Sequence, residues 1–344
     1  MTVNALDFYT PRPSFACMDD LARLSRLRYG SDVPLRTGAT VKFLKRLAGH
    51  VWLVSREFVY GVVKLRQPVG EAARFGAMRL LTPFGLFRGW DVRRNSAGCP
   101  ELAALSERGF VELPPLPLER VAALAAYFCR HADAGKGRTF ADIGGYFDHY
   151  RTERIQRPAG LIATGRADCP LTQVALSDHF VDLAAEFLGL DKRHMVASAS
   201  IDALIRLDQP RIVDRGYDDA LEFHRDVDNF RFVKMFVFLT DVGRDGGHHE
   251  VYFHSQGRTP MSLGPIARYT NEEISRAIGD AQLHYVEGPA GYAFAENTFA
   301  FHRGTKPVKG DRLILNLRYM QDGFRARYPE AFGVIRGNSL LEAA

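Results

Sequence analysis

Hydrophobic and polar positions follow one period early in the chain and another late. Within residues 41–66, Leu44, Leu47, Val51, Val54, Phe58, Val62 and Leu65 recur every three or four positions, with Lys42, Lys45, Arg46, Arg56 and Lys64 off the stripe. That is a helical period, weakened at Gly49 and Gly61. Residues 73–94 interleave Phe75, Met78, Leu80, Leu81, Phe84, Leu86, Phe87 and Trp90 with Arg74, Arg79, Arg88, Arg93 and Arg94, and Pro83 and Gly85 break the run. Such a segment packs against another domain or subunit, or lies among lipid headgroups. The turn residues NSAGCP at 95–100 read as a linker.

Beyond the linker, ELAALSERGFVELPPLPLERVAALAAYFCRHA reads as helix, short strand, turn and helix, and residues 171–189 read as one further helix with Val174, Leu176, Phe180, Leu183, Ala184 and Phe187 inward. From Met195 the period shortens to that of strands: ASASIDALIRL, ALEFHRD, RFVKMFVFLTDV, HEVYFHS, QLHYVE, AGYAFAEN, AFHRG and RLILNLRYM. RFVKMFVFLTDV carries apolar residues on both faces and reads as a central strand. Helices followed by many short strands predict an α+β protein. Its core would be a double-stranded β-helix (jelly-roll, cupin-like) with flanking helices, preceded by a mainly helical N-terminal extension. The expected division is 1–98 for the extension and 99–344 for the core domain.

Composition narrows the classes. With 344 residues, 46% hydrophobic and 25% charged, the chain can bury a full core. It shows neither a collagen-like period nor solenoid repeats. Cys17, Cys99, Cys129 and Cys169 are far apart and form no CxxC pair, which argues against a cysteine zinc site and a disulfide scaffold. The N-terminus shows no secretory pattern and no apolar run reaches membrane-span length, so a cytoplasmic location is expected, with peripheral contact to the inner face of a membrane as a further option. The net charge of +5 is uneven: residues 1–99 hold 16 Lys and Arg against 7 Asp and Glu. A basic face of this kind suits an anionic surface or is only solvated; peripheral membrane contact would run through residues 41–94. No nucleic-acid-binding module is visible, and the oligomeric state is unknown from sequence.

The chemistry concentrates in His224-Arg225-Asp226, then His302, then Arg312. In a strand, side chains i and i+2 share a face, so His224 and Asp226 can converge on one ion while Arg225 points away. Two imidazoles and one carboxylate with open positions left over suit non-haem Fe(II) and oxygen chemistry. His302 follows an apolar strand and is the choice for third ligand. Arg312 opens the returning strand, where its guanidinium can grip the distal carboxylate of 2-oxoglutarate. Other residues carry two readings each. Lys234 would aid the co-substrate or snorkel to the surface. His248 and His249 would lie at the site mouth or in a solvated turn. Arg225 and Arg303 would face an anionic substrate or only solvent. Asp228, four residues from His224, lies too far along a strand to chelate with it easily.

With these residues in place, the chain resembles the phytanoyl-CoA dioxygenase-like Fe(II)/2-oxoglutarate oxygenases. The resemblance rests on LSERGFVELPPLPLERVAALAAYF, FHRDVDNFRFVKMFVFLTDV, GGHHEVYFHSQGR and FHRGTKPVKGDRLILNLRY, in family order over about residues 100–325. It implies a jelly-roll core, Fe(II) held by His224, Asp226 and His302, 2-oxoglutarate gripped by Arg312, and O2 as oxidant. The products implied are succinate, CO2 and a hydroxylated substrate, with desaturation still open. Where relatives have a VPGSH-like stretch this chain reads VYFHSQGR, so His254 and Ser255 receive no role. Spacing within the family leaves Arg318 as the alternative to Arg312. The substrate expected is a small molecule, an acyl group or a glycan or lipid-linked sugar. The competing readings are a cupin-like binding or sensing protein without turnover and a peripheral membrane scaffold.

Overall fold

The computed structural model describes residues 99–158, 160–163, 165–208, 221–226, 232–256, 268–321 and 331–334. The stripes within residues 41–66 and 73–94, Cys17 and Asp228 lie outside the described residues.

The helices come first. Pro100 opens α1 (Pro100–Arg108), where a proline loses no helical hydrogen bond, and Gly109 closes it in the left-handed conformation at φ 82°. Next come β1 (Phe110–Leu113) and α2 (Leu118–His131), the helix–strand–turn–helix order expected from the sequence. In α3 (Ile143–Thr152) the Asp142 carboxylate accepts from the Gly145 N–H at 2.8 Å and so caps the first turn. A two-residue strand, β2 (Leu161–Ile162), precedes the region expected as one helix over 171–189. That region is two helices, α4 (Pro170–Ala175) and α5 (Asp178–Leu188). Ser177 separates them: its backbone is extended (ψ 139°) and its hydroxyl donates to the Val174 carbonyl at 2.8 Å, a local bond that competes with helix continuation.

Strands dominate the rest: β3 (Met195–Leu204), β4 (Phe223–His224), β5 (Phe232–Phe238), β6 (His249–Tyr252), β7 (Arg268–Tyr269), β8 (Leu283–Val286), β9 (Ala293–Glu296), β10 (His302–Gly304), β11 (Arg312–Gln321) and β12 (Phe332–Gly333). Among the described residues an α-helix lies between them, α6 (Asn271–Ile278), which the strand pattern did not anticipate. Its signal was Thr270-x-x-Glu273, a reciprocal capping box with bonds of 2.8 and 3.3 Å.

The strands form two antiparallel sheets. The larger has the order β1-β9-β5-β11-β3-β12, with β2 also on β3, and the smaller has the order β7-β4-β10-β6-β8. From β3 to β11 the chain crosses repeatedly between them: β3, β5, β9 and β11 belong to the larger, β4, β6, β7, β8 and β10 to the smaller. β5 is buried along its whole length between β9 and β11, the central position its two-sided hydrophobicity predicts.

Each face of the larger sheet has its own packing. Val233, Met235, Val237, Ala295, Leu315 and Leu317 share one apolar cluster with Leu124 and Phe128 of α2, Leu171 of α4 and Leu183 and Phe187 of α5. Full burial of each large aliphatic or aromatic side chain contributes about 1.5–3 kcal/mol. On the opposite face Phe236, Phe238, Phe294 and Ile314 cluster with Val251 and Val286 of the smaller sheet, which shows that the two sheets face each other. Among the described residues Cys99, Cys129 and Cys169 are free thiols. No helix among them is long and apolar enough to cross a membrane.

Candidate metal centre

His224 is the last residue of β4, and β10 lies beside it with His302 as its register partner. The tertiary pairing of two short strands therefore sets the two rings side by side, with centroids 4.4 Å apart. His224 Nδ1 lies 2.9 Å from the Glu222 carbonyl and His302 Nδ1 lies 3.0 Å from the Ala300 carbonyl. A carbonyl only accepts, so each Nδ1 carries a proton and donates, and Nε2 of each ring, once neutral, offers its lone pair to an ion.

Asp226 lies just past the strand end, where its N–H donates to the Thr298 carbonyl at 2.9 Å. Its Oδ1 is 3.7 Å from His224 Nε2 and its Oδ2 is 3.3 Å from His302 Nε2. Among the described residues, His224, Asp226 and His302 form the one group of three whose donor atoms all fall within 4.8 Å of one another. The donor set fits a divalent cation: two buried imidazoles and one carboxylate converge, and both imidazole tautomers are already fixed.

Burial, and then the neighbouring His302, hold the His224 pKa well below the ordinary histidine range. Burial acts the same way on His302, but the Glu296 and Asp226 carboxylates outweigh it and raise its pKa. For Asp226, burial opposes ionisation, and the Lys234 cation followed by the His302 contact overrides it, so the pKa falls well below the carboxylate range.

Lys234 is not the surface lysine that snorkelling would give. It is 7% exposed, and its Nζ lies 2.5 Å from Asp226 Oδ2. His248 and His249 are likewise buried rather than in a solvated turn. His248 Nε2 meets Glu250 Oε1 at 3.0 Å, and His249 Nε2 meets Glu296 Oε2 at 2.6 Å. Arg225 and Arg303 are tied into the scaffold. Arg225 lies 3.9 Å over the Phe301 ring and donates to the Ser255 carbonyl, while Arg303 lies over Phe223 and donates to Glu250 Oε2 at 2.7 Å. Ser255 is structural too: its hydroxyl donates to Tyr252 O at 2.6 Å and accepts from the Phe301 N–H at 2.8 Å. His254 has φ 59°, and its ring meets the Glu107 carbonyl at 3.0 Å.

Arg312 opens β11 on the face that meets the smaller sheet. It donates through one Nη to the Gly247 carbonyl, and its buried Nε has no hydrogen-bond partner among the described residues. Gly247 presents that carbonyl at φ 79°, and a Cβ there would lie 3.1 Å from Thr305 O. Burial, and then repulsion from Arg157, push the Arg312 pKa down to about 10. Arg318 sits elsewhere, in register with Lys234 on β5 and Ser198 on β3 and so level with the triad.

Sequence reasoning missed Glu296. It is fully buried, and its Oε1 lies 3.3 Å from His302 Nδ1. The signal was a single carboxylate ending the otherwise apolar strand AFAE.

No protein-family model matches the chain, the phytanoyl-CoA dioxygenase-like family included, and no curated protein matches it. Among solved structures, the chain is similar to EvdMO1 (16% identity, TM-score 0.42, covering 64% of this chain and 49% of that one). It is also similar to the non-heme alpha ketoglutarate dependent carbocyclase SnoK from nogalamycin biosynthesis (17% identity, TM-score 0.44, covering 68% and 87%). A third is EctD from S. alaskensis with bound Fe (13% identity, TM-score 0.43, covering 69% and 81%). The chain spans about half the length of EvdMO1.

Proposed function

We propose that the protein is a non-haem Fe(II) oxygenase on a double-stranded β-helix, and more narrowly a 2-oxoglutarate-dependent hydroxylase. The repeated crossing of the chain between two facing antiparallel sheets supports the fold. The observation that carries the function is the convergence of His224, Asp226 and His302, with both Nδ1 atoms committed to backbone carbonyls. Two histidines and one carboxylate with open positions are the donor set of non-haem Fe(II) oxygenases, and the imidazoles disfavour magnesium. Bound iron supplies the chemistry that couples O2 and 2-oxoglutarate, released as succinate and CO2, to oxidation of a substrate C–H bond.

The chain's own residues bind and orient. His224 and His302 offer Nε2, and Asp226 offers one carboxylate oxygen. Arg312 is a half-buried guanidinium whose buried Nε has no hydrogen-bond partner among the described residues, and a desolvated cation of this kind gains most from an anion. The distal carboxylate of 2-oxoglutarate fits that need. Along the inner face between the triad's level and Arg312 come Phe236 and Phe294, stacked at 5.0 Å, with Asn316 and Ile314 on β11. This largely apolar wall keeps water away from the co-substrate chain. The substrate is a small molecule, an acyl group or a glycan or glycolipid, and residues 41–94 are the proposed membrane-facing part.

Anaerobic addition of Fe(II) and 2-oxoglutarate to the purified chain tests the reading. A visible charge-transfer absorption that needs both additions, followed by succinate on admitting air, is expected. Protein that binds neither addition overturns the proposal, and iron affinity unaltered in His224→Ala overturns this site.

A further inference from the structure

Lys234 and Glu296 are direct register partners on β5 and β9. Both occupy the face of the larger sheet that otherwise presents Phe232, Phe236, Phe238 and Phe294 to the interior. Lys234 is 7% exposed and Glu296 0%. Burying charged groups stabilises a fold less than burying apolar residues of the same size, so packing does not account for these two. Each reaches a different member of the triad. Lys234 Nζ lies 2.5 Å from Asp226 Oδ2. Glu296 Oε1 lies 3.3 Å from His302 Nδ1, while its Oε2 accepts from His249 Nε2 at 2.6 Å. His249 in turn stacks on His302, with centroids 5.5 Å apart and planes 22° from parallel. One row of the larger sheet therefore sets a cation behind the metal-site carboxylate and an anion behind a metal-site imidazole.

We infer that this row is the positioning layer of the metal centre: Lys234 holds Oδ2 of Asp226 so that only Oδ1 serves as a donor, and the Glu296 carboxylate, 3.3 Å from Nδ1 of His302, strengthens that ring as a ligand by its charge. The inference rests on the metal-centre reading above. The two carboxylate oxygens are already unequal, because Oδ2 faces the ammonium and His302 while Oδ1 faces His224 Nε2 at 3.7 Å. The ammonium competes with a metal for the carboxylate and repels it by charge. Lys234 thus loosens metal binding and leaves coordination positions for other ligands. Glu296 acts with the opposite sign, since a carboxylate behind a ligating histidine raises its basicity. A row that served only the fold would give both residues the same sign, because loss of either would disorder the site.

Co(II) titration of the full chain, read by its visible absorption, separates these cases without turnover. Glu296→Gln is expected to weaken Co(II) binding about 10- to 100-fold. Lys234→Met is expected to tighten it and to alter the absorption envelope as Asp226 gains a second donor oxygen. Lys234→Arg, which keeps the cation, should behave as the parent. If Lys234→Met does not fold by circular dichroism, Lys234→Gln carries the same expectation. Weaker or unchanged Co(II) binding in the neutral Lys234 variants overturns the inference, as does unchanged binding in Glu296→Gln. Failure of the parent chain to bind Co(II) has a different signature and overturns the metal centre itself, and the row with it.

Discussion

The two faces of the larger sheet are made by the same strands and serve opposite ends. Along β5, Val233, Met235 and Val237 face the helices, while Phe232, Lys234, Phe236 and Phe238 face the smaller sheet. Along β11, Leu313, Leu315, Leu317 and Tyr319 join the helical core, and Arg312, Ile314, Asn316 and Arg318 turn inward. The outer face is held by apolar packing, with the Tyr319 hydroxyl satisfied by the Ala175 carbonyl. The inner face admits charged groups: Lys234 meets the Asp226 carboxylate, and Glu296 lies against the His302 ring. A two-residue period thus lets one strand anchor the fold with one set of side chains and build the site with the next.

The comparison can be broken most severely at the triad. His224→Ala or His302→Ala should abolish metal-dependent succinate formation while circular dichroism shows the strand content kept, since neither ring belongs to the outer core. The reverse separation is expected of Leu317→Ala. Loss of about 2–5 kcal/mol in urea unfolding should leave Co(II) affinity intact, because the cavity opens on the helical side.

Arg312→Leu sharpens the inner face. Removing one side of a buried charge pair typically costs about 2–5 kcal/mol, so the 2-oxoglutarate dissociation constant should rise roughly 30-fold or more with metal affinity unchanged. The same rise in Arg318→Leu with none in Arg312→Leu would move the clamp to Arg318.

The smallest effect concerns alkali. Burial raises the pKa of Tyr319, whose hydroxyl donates to the Ala175 carbonyl at 2.8 Å. A raised acid pKa means that its contribution is whole below about pH 10, where the unfolded tyrosine is also neutral, and is lost above it as only the unfolded chain ionises. Urea unfolding from about pH 9 to 11 should show stability falling by up to about 1.4 kcal/mol per pH unit from this residue, and Tyr319→Phe should remove that part of the slope.

Much of this division was legible in residue order. The apolar run around Lys234 marked a central strand, and His224-x-Asp226, His302 and Arg312 marked the chemistry. Lys234 itself was misplaced, because a lysine among apolar residues snorkels unless a buried anion awaits it, and that anion is supplied by a loop eight residues upstream. The break between α4 and α5 was hidden because an apolar face continues across Ser177, and only the hydroxyl's bond to Val174 shows which backbone state wins. The capping box of α6 was local and readable; its polar residues concealed the one buried anchor, Ile274.

By itself, the sequence determined which residues could ligate, clamp or fill a core, because side-chain chemistry and strand period are local properties. It did not determine which of them would meet. His302 faces His224 only because β10 pairs with β4 in that register. Glu296 stands behind His302, and Lys234 behind Asp226, only because β9 and β5 lie side by side in the opposite sheet. Those pairings are contacts between distant segments, selected by burial of the whole sheet, and no local pattern encodes them.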